Sequence, residues 1–190
     1  MNPLMDSLIR YSWALLAIVW LIGIAFTKRT VRAQAPGPRL FHMVLVLFGF
    51  SLIGSEWLSQ GWLAYRFIPA IEPVQVAGVA LTVAGCLFAI WARLTLGANW
   101  SGRATVKAGH ELVTRGPYAL ARHPIYTGLA AAGLGTGLAE GEWRCLVGFL
   151  LILLAFLVKM SQEERLMMET FPQAYPAYRQ RVKALIPGVL

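Results

Sequence analysis

Five apolar runs divide the chain, at residues 8–26, 40–57, 74–96, 125–139 and 143–158. A membrane-spanning helix needs about 20 mainly apolar residues. Four runs approach that length; 125–139 is short. Hydrophobic residues make up 57% of the chain and charged ones 14%, where soluble domains carry about a quarter charged. This pattern predicts an all-α integral membrane protein with about five transmembrane helices. One domain suffices for 190 residues, with 1–70 as an N-terminal helical hairpin and 71–190 as the core. The first run lacks a preceding positive region and a cleavage site, so it reads as a retained span.

Charge orients the spans. Four basic residues follow the first run, five accompany the loop after the third, and five lie in the tail. Arg10, Arg66 and Arg144 remain for the opposite side. The positive-inside bias then places the N-terminus outside and the C-terminus in the cytoplasm. The membrane is the plasma membrane in a prokaryote or the endoplasmic reticulum in a eukaryote. The net charge of +8 does not indicate nucleic acid, because the cations sit at the ends of apolar runs. Cys86 and Cys145 supply neither a disulfide framework nor metal spacing, and read as small packing residues.

Local features carry further expectations. Glu56 is expected to face water or a partner. Arg93, near the end of its run, is expected to snorkel. The small residues of 125–139 are expected to let run 143–158 approach closely, and Gly133-x-Gly135 reads as packing, since no strand precedes it. The fifth helix should continue into the cytoplasm through Lys159, Glu163 and Glu164 and end at Phe171-Pro172. In segment 174–186, Tyr175, Tyr178, Val182 and Leu185 fall at helical spacing. That predicts a basic amphipathic helix on an anionic leaflet or against the last two helices, with the tyrosines as packing residues or interface anchors.

The stretch 109–128, GHELVTRGPYALARHPIYTG, is polar and ring-rich between apolar runs. Gly116-Pro117 is a turn signal, and His123-Pro124 marks an element boundary. On the cytoplasmic side this stretch and the fifth helix collect His110, Tyr118, Arg122, His123, Tyr126, Lys159, Glu163 and Glu164. Such a mixture suits a ligand with a carboxylate, an ammonium group, a ribose and a purine. Carboxylates accept from hydroxyl and ammonium groups, and rings stack on a purine. No glycine-rich loop follows a strand, which argues against a dinucleotide. Two histidines without partner cysteines make a weak metal site. The competing reading is a basic loop that only sets topology.

His110-x-Leu-Val-Thr-x-Gly-Pro-Tyr118, followed by Arg122-His-Pro-x-Tyr126-x-Gly128, resembles the isoprenylcysteine carboxyl methyltransferase family. The approach Arg93-x-x-Leu-Gly97-x-x-Trp100-Ser101 and the tail from Glu163-Glu164 to Ile186-Pro187 extend the resemblance over about half the chain. It implies a membrane enzyme that uses S-adenosylmethionine. It assigns His110, Glu111, Leu112, Val113, Tyr118, His123, Pro124, Ile125, Tyr126 and Glu163 to the cofactor pocket. Lys159, where animal members carry arginine, and Arg93 are assigned to a lipid-like acceptor, and Arg122 and Glu164 to catalysis. Phe171-Pro172 stands where the family has Phe-Gly. The implied reaction is direct displacement, in which a prenylated-cysteine carboxylate or similar acceptor needs no strong base. A phospholipid amine or small thiol, a nicotinamide-dependent sterol reduction, and a non-catalytic membrane scaffold are the alternatives.

Overall fold

The computed structural model describes residues 1–33, 37–100, 105–107 and 111–189, with backbone alone for 30–33, 37–39 and 105–107. Among the described residues six α-helices follow in order: α1 Pro3–Ile24, α2 Gly37–Gly54, α3 Glu72–Leu96, α4 Pro124–Glu140, α5 Trp143–Thr170 and α6 Ala174–Arg181. Their starts are legible. The Asn2 side chain accepts from the Leu4 amide at α1, and Pro3, Pro73 and Pro124 occupy first-turn positions, where a missing N–H costs nothing. The all-helical expectation holds apart from one short ribbon. Strand β1, Thr30–Ala33, pairs antiparallel with β2, Thr105–Lys107, so the loops after the first and third apolar runs are stitched together.

Among the described residues, three helices are long and apolar enough to cross a membrane: Pro3–Ile24, Glu72–Asn99 and Trp143–Thr170. The apolar helix Leu40–Gly54 is shorter, and α4 has 17 residues. The pairs α3–α4 and α2–α5 pack antiparallel, and α1 runs parallel to α3. On α3, Gly78 and Gly85 meet Gly128 and Gly135 of α4, backbone against backbone. A Cβ at Gly85 would lie 2.5 Å from the Ala132 nitrogen and 2.6 Å from the Gly128 oxygen. Thr82 and Thr136 lie buried in this seam with hydroxyls 3.2 Å apart. The expectation that the α4 glycines serve α5 holds for Gly133 and Gly137, which face Phe149 and Cys145, but Gly128 and Gly135 serve α3. Gly141, at φ +70°, turns the chain between α4 and α5, but the seven-residue glycine spacing faces α3, where a matching spacing waits. The pair α2–α5 has its own close approach, Gly49 to Gly148.

The two ends of the bundle differ in charge pattern. At one, Arg10 pairs with Asp6 and Glu56, so Glu56 sits in an exposed ion pair as expected. Arg144 is buried there with Glu142 and the carbonyls of Leu52 and Ile53, and the Arg66 backbone pairs with that of Glu142 in an isolated antiparallel bridge. These three arginines are the ones the charge count separates from the rest. At the other end, Arg93 does not snorkel. It is 3% exposed, donates to the carbonyls of Gly23 and Gly97, and lies 4.6 Å above the Trp100 ring. The last carbonyls of α1 lack intrahelical partners, and a guanidinium supplies donors to them.

The tail is also corrected. Helix α6 stops at Arg181, and Val182 is extended. The Arg122 amide donates to the Lys183 carbonyl at 2.8 Å, the His123 amide to that of Ala184 at 3.0 Å, and the Thr127 hydroxyl to that of Leu185 at 2.7 Å. The amides that begin a helix have no partner within it; an extended tail offers carbonyls to them, whereas a helical tail would have used its own. Tyr175 and Tyr178 are each 3% exposed, so they pack and do not anchor in a leaflet. The Tyr178 hydroxyl donates to the Tyr118 carbonyl, and burial pushes its pKa up to about 12, which keeps it a donor at any ordinary pH. Tyr178→Phe is expected to lower stability by about 1–3 kcal/mol, the cost of an orphaned buried acceptor. A thermal melt in detergent, compared with wild type, checks this.

Candidate active site

A cavity of about 430 Å³ opens where α1, α2, α4 and α5 converge. Its floor and sides are apolar, with Trp13, Leu16 and Trp20 from α1, Val46 and Phe50 from α2, and Phe156 from α5. Its head is polar, lined by His42, Tyr118, His123, Tyr126, Lys159 and Glu163. Helix α1 packs along α3 and α2 along α5, which leaves the gap between them that the cavity fills. The N-terminal helices thus wall the site together with the core.

The His123-Pro124 boundary starts α4 and turns two rings toward α5. His123 stacks on Tyr126 with centroids 5.7 Å apart, and Tyr126 on Phe156 at 4.7 Å. The Tyr126 hydroxyl donates to Glu163 Oε1 at 2.9 Å. Lys159 Nζ lies 3.7 Å from the same oxygen and 5.6 Å from the Tyr126 ring centre, one turn before Glu163 as i, i+4 spacing requires. Glu163 keeps 22% of its side chain exposed. Its neighbour Glu164 projects toward the tail. Arg122 Nε donates to Glu164 Oε1 at 2.9 Å, His123 Nε2 lies 3.3 Å from that oxygen, and Arg179 Nε lies 3.6 Å from Oε2. The Arg122 and Glu164 side chains are 8% and 15% exposed. Arg122 also donates to the Val182 carbonyl. His123 is thereby held between the two consecutive glutamates, with Nδ1 3.7 Å from Glu163 Oε2.

Residues 78–169 match the model of the Isoprenylcysteine carboxyl methyltransferase (ICMT) family. Over these residues the chain is similar to that family. It is 26% identical over 162 residues to a Protein-S-isoprenylcysteine O-methyltransferase of Xenopus laevis, covering 80% of this chain and 56% of that protein. It is 29% identical over 162 residues to one of Homo sapiens, covering 80% and 57%. A Cobalt-zinc-cadmium resistance protein, CzcN, of Cupriavidus metallidurans is 30% identical over 148 residues, covering 77% and 59%. Among solved structures, the eukaryotic intramembrane Ras methyltransferase ICMT shares the fold with TM-score 0.55 at 24% identity, covering 84% of this chain and 55% of that one. The chain spans about half the length of the curated relatives it matches. All of the polar-head residues of the cavity except His42 fall within the part that matches the family.

Of the residues that the family resemblance assigns, Tyr118, His123, Pro124, Ile125, Tyr126, Glu163 and Lys159 line the cavity. Glu111 is exposed; Leu112 and Val113 are half-buried, and Val113 packs against the cluster that holds Tyr118 and Ile125. His110 lies outside the described residues. Arg122 and Glu164 bind each other and the tail and do not line the cavity. Arg93 reaches it only through Trp100. Sequence reasoning missed the walls from α1 and α2. The signal was present: His42, Val46 and Phe50 recur every four residues on one helix face, and Trp13 and Trp20 stand two turns apart. His42 is the most informative. Its Nδ1 lies 3.1 Å from the Ala155 carbonyl. A carbonyl only accepts, so Nδ1 carries the hydrogen, and Nε2 of the neutral ring is an acceptor.

Proposed function

We infer that the protein is a membrane methyltransferase that moves a methyl group from S-adenosylmethionine to a lipid-like acceptor, the carboxylate of a prenylated cysteine or a similar group. The observation that carries this reading is one cavity with a charged, ring-lined head and an apolar body, built on the part of the chain that matches the family. The residues fit the cofactor. The volume lies within the roughly 300–1,000 Å³ of small-molecule sites. The Glu163 carboxylate suits an ammonium or ribose hydroxyl, and the His123–Tyr126–Phe156 ring series suits a purine face. Bound there, S-adenosylmethionine supplies a methyl carbon made electrophilic by its cationic sulfur. The protein's own contribution is alignment and exclusion of water, and alignment alone is worth on the order of 7–11 kcal/mol. Lys159 offers a positive charge at the boundary between the polar head and the apolar body, where an acidic lipid head would sit. Tyr126 holds Glu163, and Glu164 with Arg122 holds His123, so both stay oriented before any ligand arrives.

A second reading, a thiol or amine acceptor, is favoured by His42. Its Nε2 can take the proton that such an acceptor must lose, and the rate would then rise with pH through the acceptor's pKa. A carboxylate acceptor gives little such rise. In the membrane we place five spans, α1 to α5, with the N-terminus outside and the polar head of the cavity at the cytoplasmic face. The plasma membrane, or the endoplasmic reticulum in a eukaryote, is the site. The separation of Arg10, Arg66 and Arg144 from the other cations supports this orientation.

Methyl transfer to a prenylated cysteine, measured with isotope-labelled S-adenosylmethionine, tests the reading. Lys159→Met is expected to raise the KM for the acidic acceptor and leave cofactor affinity nearly unchanged, and Lys159→Arg to keep most activity because charge is retained. Loss of cofactor binding in Lys159→Met with unchanged acceptor KM would reverse the assignment of the two ends of this helix.

A further inference from the structure

A second cavity of about 360 Å³ lies behind the first, at the end of the bundle that carries Arg10, Glu56 and Arg144. Two residues line both cavities, Trp13 and Phe50. Their rings meet edge to face, with centroids 5.4 Å apart at 77°. The indole is pinned, because Trp13 Nε1 donates to Thr136 Oγ1 at 3.1 Å, and Thr136 is itself buried and fixed on α4. A void thus runs along most of the bundle, and one pair of rings interrupts it. On the near side, Leu16, Leu129 and Phe156 give an apolar wall; on the far side, Ile9 and Ile53 do the same before the charged groups begin.

We propose that the Trp13–Phe50 pair is the floor of the acceptor cleft and sets the length of hydrocarbon chain the protein accepts. The proposal rests on the reading of the first cavity as a site for a lipid-like acceptor. The distances suit it. From His42 at the polar head to Phe50 is eight residues of α2, roughly 12 Å of helix. From Phe50 to Gly54, which lines the second cavity, is roughly 6 Å more. A chain that ends at the rings buries its whole length in apolar surroundings. A longer one either folds back or pushes its end out, and each methylene that stays out of the cleft forfeits transfer free energy. Removing one ring joins the cavities and extends the apolar path to Ile9 and Ile53, about half as long again. Val46, on the same face of α2 one turn nearer the head, is where added bulk would raise the floor.

The test uses purified full-length protein in detergent and straight-chain S-alkyl N-acetylcysteines of increasing length. Their affinity is read from ligand-induced thermal stabilisation without methyl donor. Wild type is expected to show an optimum length beyond which affinity stops rising. Phe50→Ala is expected to move the optimum several carbons longer, with about tenfold tighter binding for each two methylenes accommodated past the wild-type limit. Val46→Phe is expected to move it shorter. Thr136→Val, which removes the partner of the indole at nearly constant volume, is expected to broaden the optimum toward longer chains. An unmoved optimum in a folded Phe50→Ala protein overturns the proposal; if that variant does not fold, an unmoved optimum in Val46→Phe overturns it. Methyl transfer run in parallel separates the two levels. Transfer with an unmoved optimum removes the ruler and leaves the methyltransferase. A moved optimum with no transfer to any acceptor keeps the ruler and removes the methyltransferase reading.

Discussion

Arg122→Ala is expected to destabilise the protein by about 3–5 kcal/mol, the range for removing one partner of a buried ion pair. The size follows from what the guanidinium holds. It bonds Glu164, which is 15% exposed, and the Val182 carbonyl of the tail, while its own amide bonds Lys183. Without it, Glu164 is left half-enclosed with His123 and Arg179 as its remaining partners, and the tail loses a clamp over the start of α4. His123 then loses its fixed orientation beside Glu163. Thermal melting reads the stability, and S-adenosylmethionine affinity is expected to fall with it. Arg122→Lys should recover only part of the loss, because lysine keeps the charge but not the fork that reaches both Glu164 and the carbonyl. Wild-type melting and affinity in Arg122→Ala would mean that the tail is held by its backbone bonds and tyrosines alone.

The second large effect belongs to the α3–α4 seam. Gly85→Leu is expected to prevent these helices from pairing. Any Cβ at that position lies 2.5–2.6 Å from backbone atoms of Ala132 and Gly128, and backbone on a packed helix does not yield as a side-chain tip does. The cost exceeds the ~1–3 kcal/mol of ordinary overpacking. Gly135→Leu is expected to behave alike, from its 2.5 Å approach to the Thr82 nitrogen. Gly54→Leu is the control, with nothing within 4 Å of its Cβ position. Yield of monodisperse protein from membranes, measured side by side, checks all three. A normal yield for Gly85→Leu would place the seam elsewhere.

Much of the architecture was legible because apolar length and charge are one-dimensional properties. His123-Pro124, which carries its own punctuation, marked the start of α4 correctly. The glycines were recognised as packing residues, but periodicity names a face and not its partner, and so α5 was expected for all of them when Gly128 and Gly135 meet α3. The tail failed for a related reason. Val182 and Leu185 fall at helical spacing, yet the decisive factor is a pair of orphan amides sixty residues earlier, at Arg122 and His123. Arg93 likewise looked like a boundary cation until Gly23, from another helix, supplied its acceptor. In the site, the local motif around His123 and Tyr126 led to the polar head. The spacing of Trp13 and Trp20 and of His42, Val46 and Phe50 marks one face on each of α1 and α2, but a face of membrane residues does not say whether lipid, a helix or a cavity lies against it. Only tertiary convergence makes them a cavity.

Titration calorimetry of S-adenosylmethionine into purified wild-type protein and Glu163→Ala, with NADPH as the competing ligand, tests the central claim most directly. Glu163 is the carboxylate that Tyr126 and Lys159 orient toward the cavity head, so its loss is expected to weaken S-adenosylmethionine binding by about 1.5–3 kcal/mol, the scale of hydrogen bonds to charged groups. Wild type is expected to bind S-adenosylmethionine and give no heat with NADPH. Equal S-adenosylmethionine affinity in both proteins, or binding of NADPH in its place, would contradict the account.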